Sequence, residues 1–309
     1  MPAIEVRDVH KRYGDVEAVR GVSFDVAHGE VFCLLGPNGA GKTTITEIAE
    51  GHRVPGSGSV SVLGHDPGRG ERALRDRIGV VLQSSGIQQE LTVGELLEMH
   101  ARWYSRSLTP DELIDLVELD AKRGTRAGDL SGGQRRRLDL ALGLVGDPDV
   151  LFLDEPTTGF DPHARRNAWS TIRELCSTGK TVFLTTHFMD EAQYLADRVA
   201  VMVDGRIVAS GPPEALGGRD ELPTEIRFAL PVGIGVADLP ELPGGAVSED
   251  RDEVLVTSSH GIEATHAITG WALERGLALT RFSVSQPTLE DVYLALTTAP
   301  GPHGEEARS

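Results

Sequence analysis

Cysteine is nearly missing from this chain, which holds only Cys33 and Cys176 among 309 residues. Two isolated thiols support neither a disulfide framework nor a cysteine-based metal site. Cys33, inside an apolar run, reads as a small buried hydrophobe, and the expected compartment is reducing. Long hydrophobic runs are missing as well. No stretch approaches the ~18 consecutive apolar residues of a spanning helix. The opening Met1-Pro2-Ala3-Ile4-Glu5 has no basic segment ahead of an apolar one, so no secretory signal is expected. Positive charge is scarce. Against 47 Asp and Glu stand 30 Lys and Arg, a net charge of −17, which disfavours the broadly basic surface of a nucleic-acid binder. From Leu222 onward 13 acidic residues face 5 Arg and no Lys, the pattern of a solvated acidic surface. No second His or Cys lies at ligand spacing from His187, which argues against a zinc site. No internal repeat is found.

What is present suffices for a core: 39% hydrophobic and 25% charged residues, at a length that suits one large domain with a small companion. Short apolar runs at 31–35, 78–82, 150–153 and 181–186 read as buried strands of a largely parallel sheet. Helical patterns at 93–105, 111–119 and 189–198 alternate with them, which predicts an α/β architecture. Residues 84–128 carry helical patterning only and are expected to form a helical insertion. Asp204-Gly205 suits a two-residue turn between strands at 199–203 and 206–209. Gly211-Pro212-Pro213 is expected to open a short helix that stops at Gly217-Gly218, closing a domain over 1–218. Beyond it, strands at 224–230, 253–257 and 277–285 accompany a helix whose Ala264, Ala267, Ile268, Trp271 and Ala272 share one face. Pro287-Thr288 starts a last helix with Leu289, Val292, Tyr293 and Leu296 on one side. Together these predict a small α+β domain over 222–298, and the aperiodic residues 299–309 are expected to be disordered.

The chemistry is concentrated in two places. Gly36-Pro37-Asn38-Gly39-Ala40-Gly41-Lys42-Thr43 fits G-x-x-x-x-G-K-[ST], after an apolar strand and before a helix with Ile45, Ile48 and Ala49 on one face. Glycines there let backbone N–H groups turn around phosphate oxygens, at the positive end of a helix dipole. Lys42 is expected to reach the β- and γ-phosphates of ATP and the Thr43 hydroxyl to ligate Mg²⁺, with Thr44 completing the phosphate-binding set. The second place is Leu151-Phe152-Leu153-Asp154-Glu155-Pro156, an apolar strand ending in two carboxylates at the carboxyl edge of the sheet. Asp154 suits the Mg²⁺-holding role and Glu155 that of general base toward water. Taken alone, a Gly-rich turn or an Asp-Glu pair after a strand is an ordinary loop; the combination is not.

Leu130-Ser131-Gly132-Gly133-Gln134 adds a third element. Ser131 and Gln134 fit a capping box at a helix start, but two consecutive glycines in a first helical turn lower helix propensity. With this segment the chain closely resembles the ATP-binding cassette family, whose motifs are matched in order over about 4–216. In that family the Ser131–Gln134 helix start faces the γ-phosphate held by a partner subunit. By the same resemblance Tyr13 stacks on adenine, and Gln83 senses Mg²⁺ and the attacking water and relays to a membrane subunit. Thr158-Gly159-Phe160-Asp161-Pro162 resembles the loop contributing Asp161 to the nucleotide interface, with Phe160 where Leu is commoner. His187 resembles the switch histidine at the γ-phosphate. The fold implied is a P-loop NTPase cassette with a helical insertion. Gln286 to Tyr293, Phe160 and Gln134-Arg135-Arg136-Arg137-Leu138-Asp139-Leu140 further resemble ATPase subunits of ABC-2-type, daunorubicin-resistance-like drug exporters. That resemblance implies an ATPase that energises export through a separate permease on the cytoplasmic face of the membrane. With one phosphate loop and one signature per chain, it also implies a homodimer sandwiching two ATP molecules. The alternative is a non-transport ATPase of this family acting on nucleic acid or in regulation. Such relatives usually carry two cassettes, coiled-coil insertions or zinc modules, and none is found here.

Overall fold

A computed structural model describes residues 1–81, 86–177, 179–231, 233–250, 253–286 and 288–298; Gln83, Pro287 and 299–309 lie outside the described residues. The chain divides into two compact units between Pro213 and Glu214, five residues ahead of the expected boundary. In the first unit the elements run β1 (Ile4–Tyr13), β2 (Val16–Val26), β3 (Val31–Leu35), α1 (Lys42–Ala49) and β4 (Ser57–Val62), then the single turn α2 (Arg72–Arg75) and β5 (Ile78–Val81). They continue with α3 (Val93–Ala101), α4 (Pro110–Leu116), α5 (Gly132–Leu144), β6 (Val150–Asp154), α6 (Pro162–Ser177), β7 (Thr181–Thr186), α7 (Met189–Leu195), β8 (Arg198–Val203) and β9 (Arg206–Gly211).

A six-stranded sheet in the order β5-β6-β7-β3-β8-β9 carries the site. Its strands are parallel except β9, which returns antiparallel to β8 through the Asp204-Gly205 turn. Every residue of β3, β6 and β7 is buried, which is why these strands read as unbroken apolar runs. The parallel register aligns three strand ends: Leu35 pairs with Thr186, and Asp154 with Thr185. The residues that follow these ends therefore meet at one edge of the sheet, where open α/β sheets bind ligands.

A second, antiparallel sheet in the order β2-β1-β4 lies against the first and was not anticipated from the sequence. Its register shifts three times between β1 and β2, so the strict period-2 alternation that betrays a strand is interrupted. Phe24 from β2 stacks on Phe32 and Phe183 of the parallel sheet, with centroids 4.9 and 5.8 Å apart. Such aromatic pairs contribute roughly 0.5–1.5 kcal/mol beyond their buried area.

Two local expectations are corrected. The helix expected over 189–198 ends at Leu195; Ala196 is extended and Arg198 is recruited into β8 opposite Phe32, its guanidinium donating to Glu30 Oε1 at 2.7 Å. No helix opens at Gly211-Pro212-Pro213, because Gly211 stays in the ladder opposite Val199. The following stretch, Leu216–Glu221, is helical turn broken by a kink at Gly217 and Gly218, which both adopt positive φ.

The second unit contains β10 (Thr224–Ala229), β11 (Gly245–Asp250), β12 (Glu253–Ser258), α8 (Gly261–Glu274), β13 (Thr280–Ser285) and α9 (Leu289–Thr298). Its antiparallel sheet has the order β11-β12-β10-β13, and Ile226, Phe228, Val254 and Val256 pack against Ala264 and Ile268 of α8. Strand β11 was missed: its residues are largely exposed and its partner β12 holds the buried face.

Candidate nucleotide site

Three of the converging strand ends deliver the site. After β3, the loop 36–41 turns into α1, and two of its glycines are required by packing. A Cβ on Gly36 would lie 2.3 Å from the Met202 carbonyl oxygen, and one on Gly41, at φ +103°, 2.3 Å from that of Ala18. Only a residue without a side chain fits between the loop and β8 on one side and β2 on the other. Lys42 is 5% exposed, and its ammonium donates to the carbonyls of Gly36 (2.7 Å) and Pro37 (3.1 Å), folding the loop around the cation. Burial lowers the Lys42 pKa, while the nearby Glu155 and Asp154 oppose that shift. Thr43 is exposed and Thr44 half-buried in the first turn of α1.

Asp154 ends β6 and is buried; its Oδ1 accepts from the Thr185 hydroxyl at 2.5 Å. Glu155 follows with φ +47°, the left-handed region. For a residue with a side chain this conformation costs about 1–2 kcal/mol, and such strain concentrates at functional positions. The turn aims the carboxylate. Oε1 lies 3.1 Å from His187 Nδ1, and Oε2 accepts from the Thr158 hydroxyl at 3.2 Å. An ionised carboxylate only accepts, so Nδ1 carries the hydrogen and Nε2 remains for another partner. The Glu155 amide donates to the Thr185 carbonyl at 3.0 Å. Lys42, Asp154, Glu155 and His187 are thus brought together as a charged cluster.

The remaining sequence candidates are placed as follows. Ser131 and Gln134 form the expected capping box: the Gln134 amide donates to Ser131 Oγ (3.3 Å) and the Ser131 amide to Gln134 Oε1 (3.0 Å). A Cβ on Gly132 would meet nothing within 4 Å, and one on Gly133 only the Ala164 Cβ at 4.0 Å. Among the described residues no packing contact demands glycine at either position. Asp161 Oδ1 accepts from the Ala164 amide at 3.0 Å and caps α6. Tyr13, at the end of β1, is 39% exposed, with Lys11 Nζ and Arg53 Cζ 5.6 and 5.3 Å from its ring centroid. Gln83 falls outside the described residues. Among those, no group of three or more His, Cys, Asp or Glu gathers as a metal cluster.

Sequence reasoning missed Thr185, Glu50 and Arg136. Arg136 sits on the buried face of α5, and a charged residue at such a helical position was the available signal. Its guanidinium reaches the carbonyls of Asp154, Glu155 and Pro156.

A phosphate loop closing on its lysine, two carboxylates on the adjoining strand end and a histidine bonded to the second form a candidate nucleotide site on a P-loop ATPase cassette fold. The sequence family described as "ABC transporter" matches residues 19–158, and that described as "ABC transporter domain-containing protein-like, C-terminal domain" matches 224–288. Nod factor export ATP-binding protein I of Rhizobium sp. (strain N33) is 47% identical over 315 residues, covering 96% of this chain and 97% of that protein. Daunorubicin resistance ATP-binding protein DrrA3 of Streptomyces coeruleorubidus is 39% identical, with 96% of each chain covered. Among solved structures, the dimeric bacterial ABC transporter cassette MJ0796 superposes with a TM-score of 0.61 at 25% identity, over 68% of this chain and 98% of that one. The chain belongs to the ATP-binding subunits of ABC transporters, in the branch of ABC-2-type exporter ATPases. Members of this family bind and hydrolyse ATP.

Proposed function

We propose that this chain is the Mg²⁺-dependent ATPase subunit of an exporter, acting as a homodimer with two ATP molecules between its copies. The observation that carries the reading is the open side of Gly132 and Gly133 at the start of α5. Glycines that no described neighbour requires make sense if a phosphate bound by a second copy approaches that backbone. The dimeric MJ0796 cassette supports the same arrangement.

In each site Lys42 and the amides of 36–43, with Thr44, hold the phosphates, Tyr13 stacks on the base, and Ser131, Gly132, Gly133, Gln134 and Asp161 close the interface from the second copy. The Thr43 hydroxyl and the Asp154 carboxylate are hard oxygen donors in a place where phosphate oxygens also arrive, the donor set that suits Mg²⁺. When bound, Mg²⁺ would neutralise charge on the phosphates. Glu155 accepts the proton of the attacking water, His187 Nδ1 fixes the orientation of that carboxylate, and Gln83 contacts the same water. The lowered pKa of the buried Lys42 is countered once phosphate charge lies beside it.

The partner is a separate ABC-2-type permease, which keeps this subunit on the cytoplasmic face of the membrane; among the described residues no helix is long and apolar enough to cross one. The names of the relatives, Nod factor export and daunorubicin resistance, favour a drug, antibiotic or lipid-like cargo. The unit over 222–298 is an accessory domain.

Glu155→Gln tests the reading. It retains nucleotide binding, loses at least about 100-fold in turnover, and accumulates an ATP-bound dimer on size-exclusion chromatography. Wild-type hydrolysis by that variant removes Glu155 from the role of base.

A further inference from the structure

Arg136 lies on α5, five residues beyond Ser131, and is 9% exposed. Its Nη2 donates to the carbonyl of Asp154 at 2.9 Å and to that of Glu155 at 3.2 Å, and its Nε to that of Pro156 at 2.9 Å. Asp139 Oδ2, one helical turn on, lies 3.8 Å from Nη1 and offsets the buried charge. The three carbonyls belong to consecutive residues centred on the one whose backbone is left-handed, Glu155. Carbonyl groups along a strand end point in diverging directions, and a planar guanidinium with a fixed fork of donors is the side chain able to collect three of them at once. The amide of Glu155 donates to the Thr185 carbonyl at 3.0 Å.

We propose that Arg136 is a positioning residue for hydrolysis: it braces the positive-φ turn at Glu155 and thereby holds the general base of its own chain in line with the attacking water. This rests on the reading of Glu155 as base. The bracing group stands on the helix that presents Ser131, Gly132 and Gly133, so in each copy a side chain of α5 ties the turn carrying the base to the helix that faces the other copy's nucleotide.

The test uses the full chain. R136A is expected to lower kcat by about 10- to 100-fold, the loss a misplaced catalytic group produces, with KM for ATP within about threefold of wild type. In the E155Q background R136A is expected to leave ATP affinity and the yield of ATP-bound dimer unchanged, because the residue it positions is already disabled. Loss of that dimer would assign Arg136 to holding the signature helix and overturn the proposal. Should R136A not fold, R136K keeps the buried cation but loses the fork, and an unchanged kcat in R136K overturns the proposal equally. The two readings separate cleanly. If E155Q itself turns over normally, the assignment of the base fails. If E155Q is dead while folded Arg136 variants are fully active, only the bracing role fails.

Discussion

At the scale of single residues, the site depends on side chains whose behaviour is set by what surrounds them. Glu50, at the end of α1, shows this most clearly. Its residue is 7% exposed, one carboxylate oxygen lies 3.0 Å from His52 Nδ1, and burial, reinforced by Asp154 and Glu47, pushes its pKa up to about 8. The folded protein therefore keeps this carboxyl protonated between its ordinary value of 4.5 and about 8, whereas the unfolded chain ionises it. Folding is favoured below that window, and stability falls as pH rises through it, by at most about 1.4 kcal/mol per pH unit. Glu50→Gln removes the titration. The Tm of the wild type, measured by calorimetry between pH 5 and 8.5, is expected to drop relative to that of E50Q; parallel curves would refute the assignment. Lys42, Asp154, Glu155 and His187 were legible as candidates because their types follow strand ends in a recognisable order. The buried state of Glu50 and the reach of Arg136 were not, since each depends on elements far away in sequence.

At the scale of elements, the start of α5 separates folding from function. Among the described residues, Gly133→Val places its side chain where only the Ala164 Cβ lies near, at 4.0 Å, and the capping box between Ser131 and Gln134 is untouched. Stability is expected to stay within roughly 1 kcal/mol of wild type. ATP hydrolysis falls at least about tenfold, because the branched side chain stands between the backbone and an approaching phosphate. A melting curve and a phosphate-release assay on the same preparation decide it; a fully active G133V would show that no partner phosphate comes close. The elements themselves were unequally readable. β3, β6 and β7 announce themselves as apolar runs because they are buried on both faces. β1 and β2 do not, since bulges interrupt their alternation and one face is largely exposed. The end of α7 was misjudged because pairing of Arg198 with β3 overrides local helical pattern.

At the scale of the whole molecule, the proposed pairing of two copies, each with one phosphate loop and one signature, would make activity a property of both. Specific ATPase activity is expected to rise with protein concentration until the dimer saturates, with half-maximal activity shifting to lower concentration in the presence of excess ATP. Activity per mole that stays constant over a hundredfold dilution would mean that a single chain completes its own site. The acidic balance of the chain, −17 overall, adds repulsion between copies, so the concentration for half-maximal activity should fall as salt is raised.

By itself the sequence determined which residues can do phosphate chemistry and on what local scaffold, since a Gly-rich turn after a buried strand and a carboxylate pair at a strand end are properties of neighbours along the chain. Only the tertiary structure decided that these ends converge, through the register Leu35 opposite Thr186 and Asp154 opposite Thr185. It also decided that Arg136 bonds the carbonyl of Glu155, whose backbone is left-handed, and that burial pushes the Glu50 pKa up to about 8. Those outcomes arise from desolvation and from hydrogen bonds between residues distant in sequence, which no local pattern encodes.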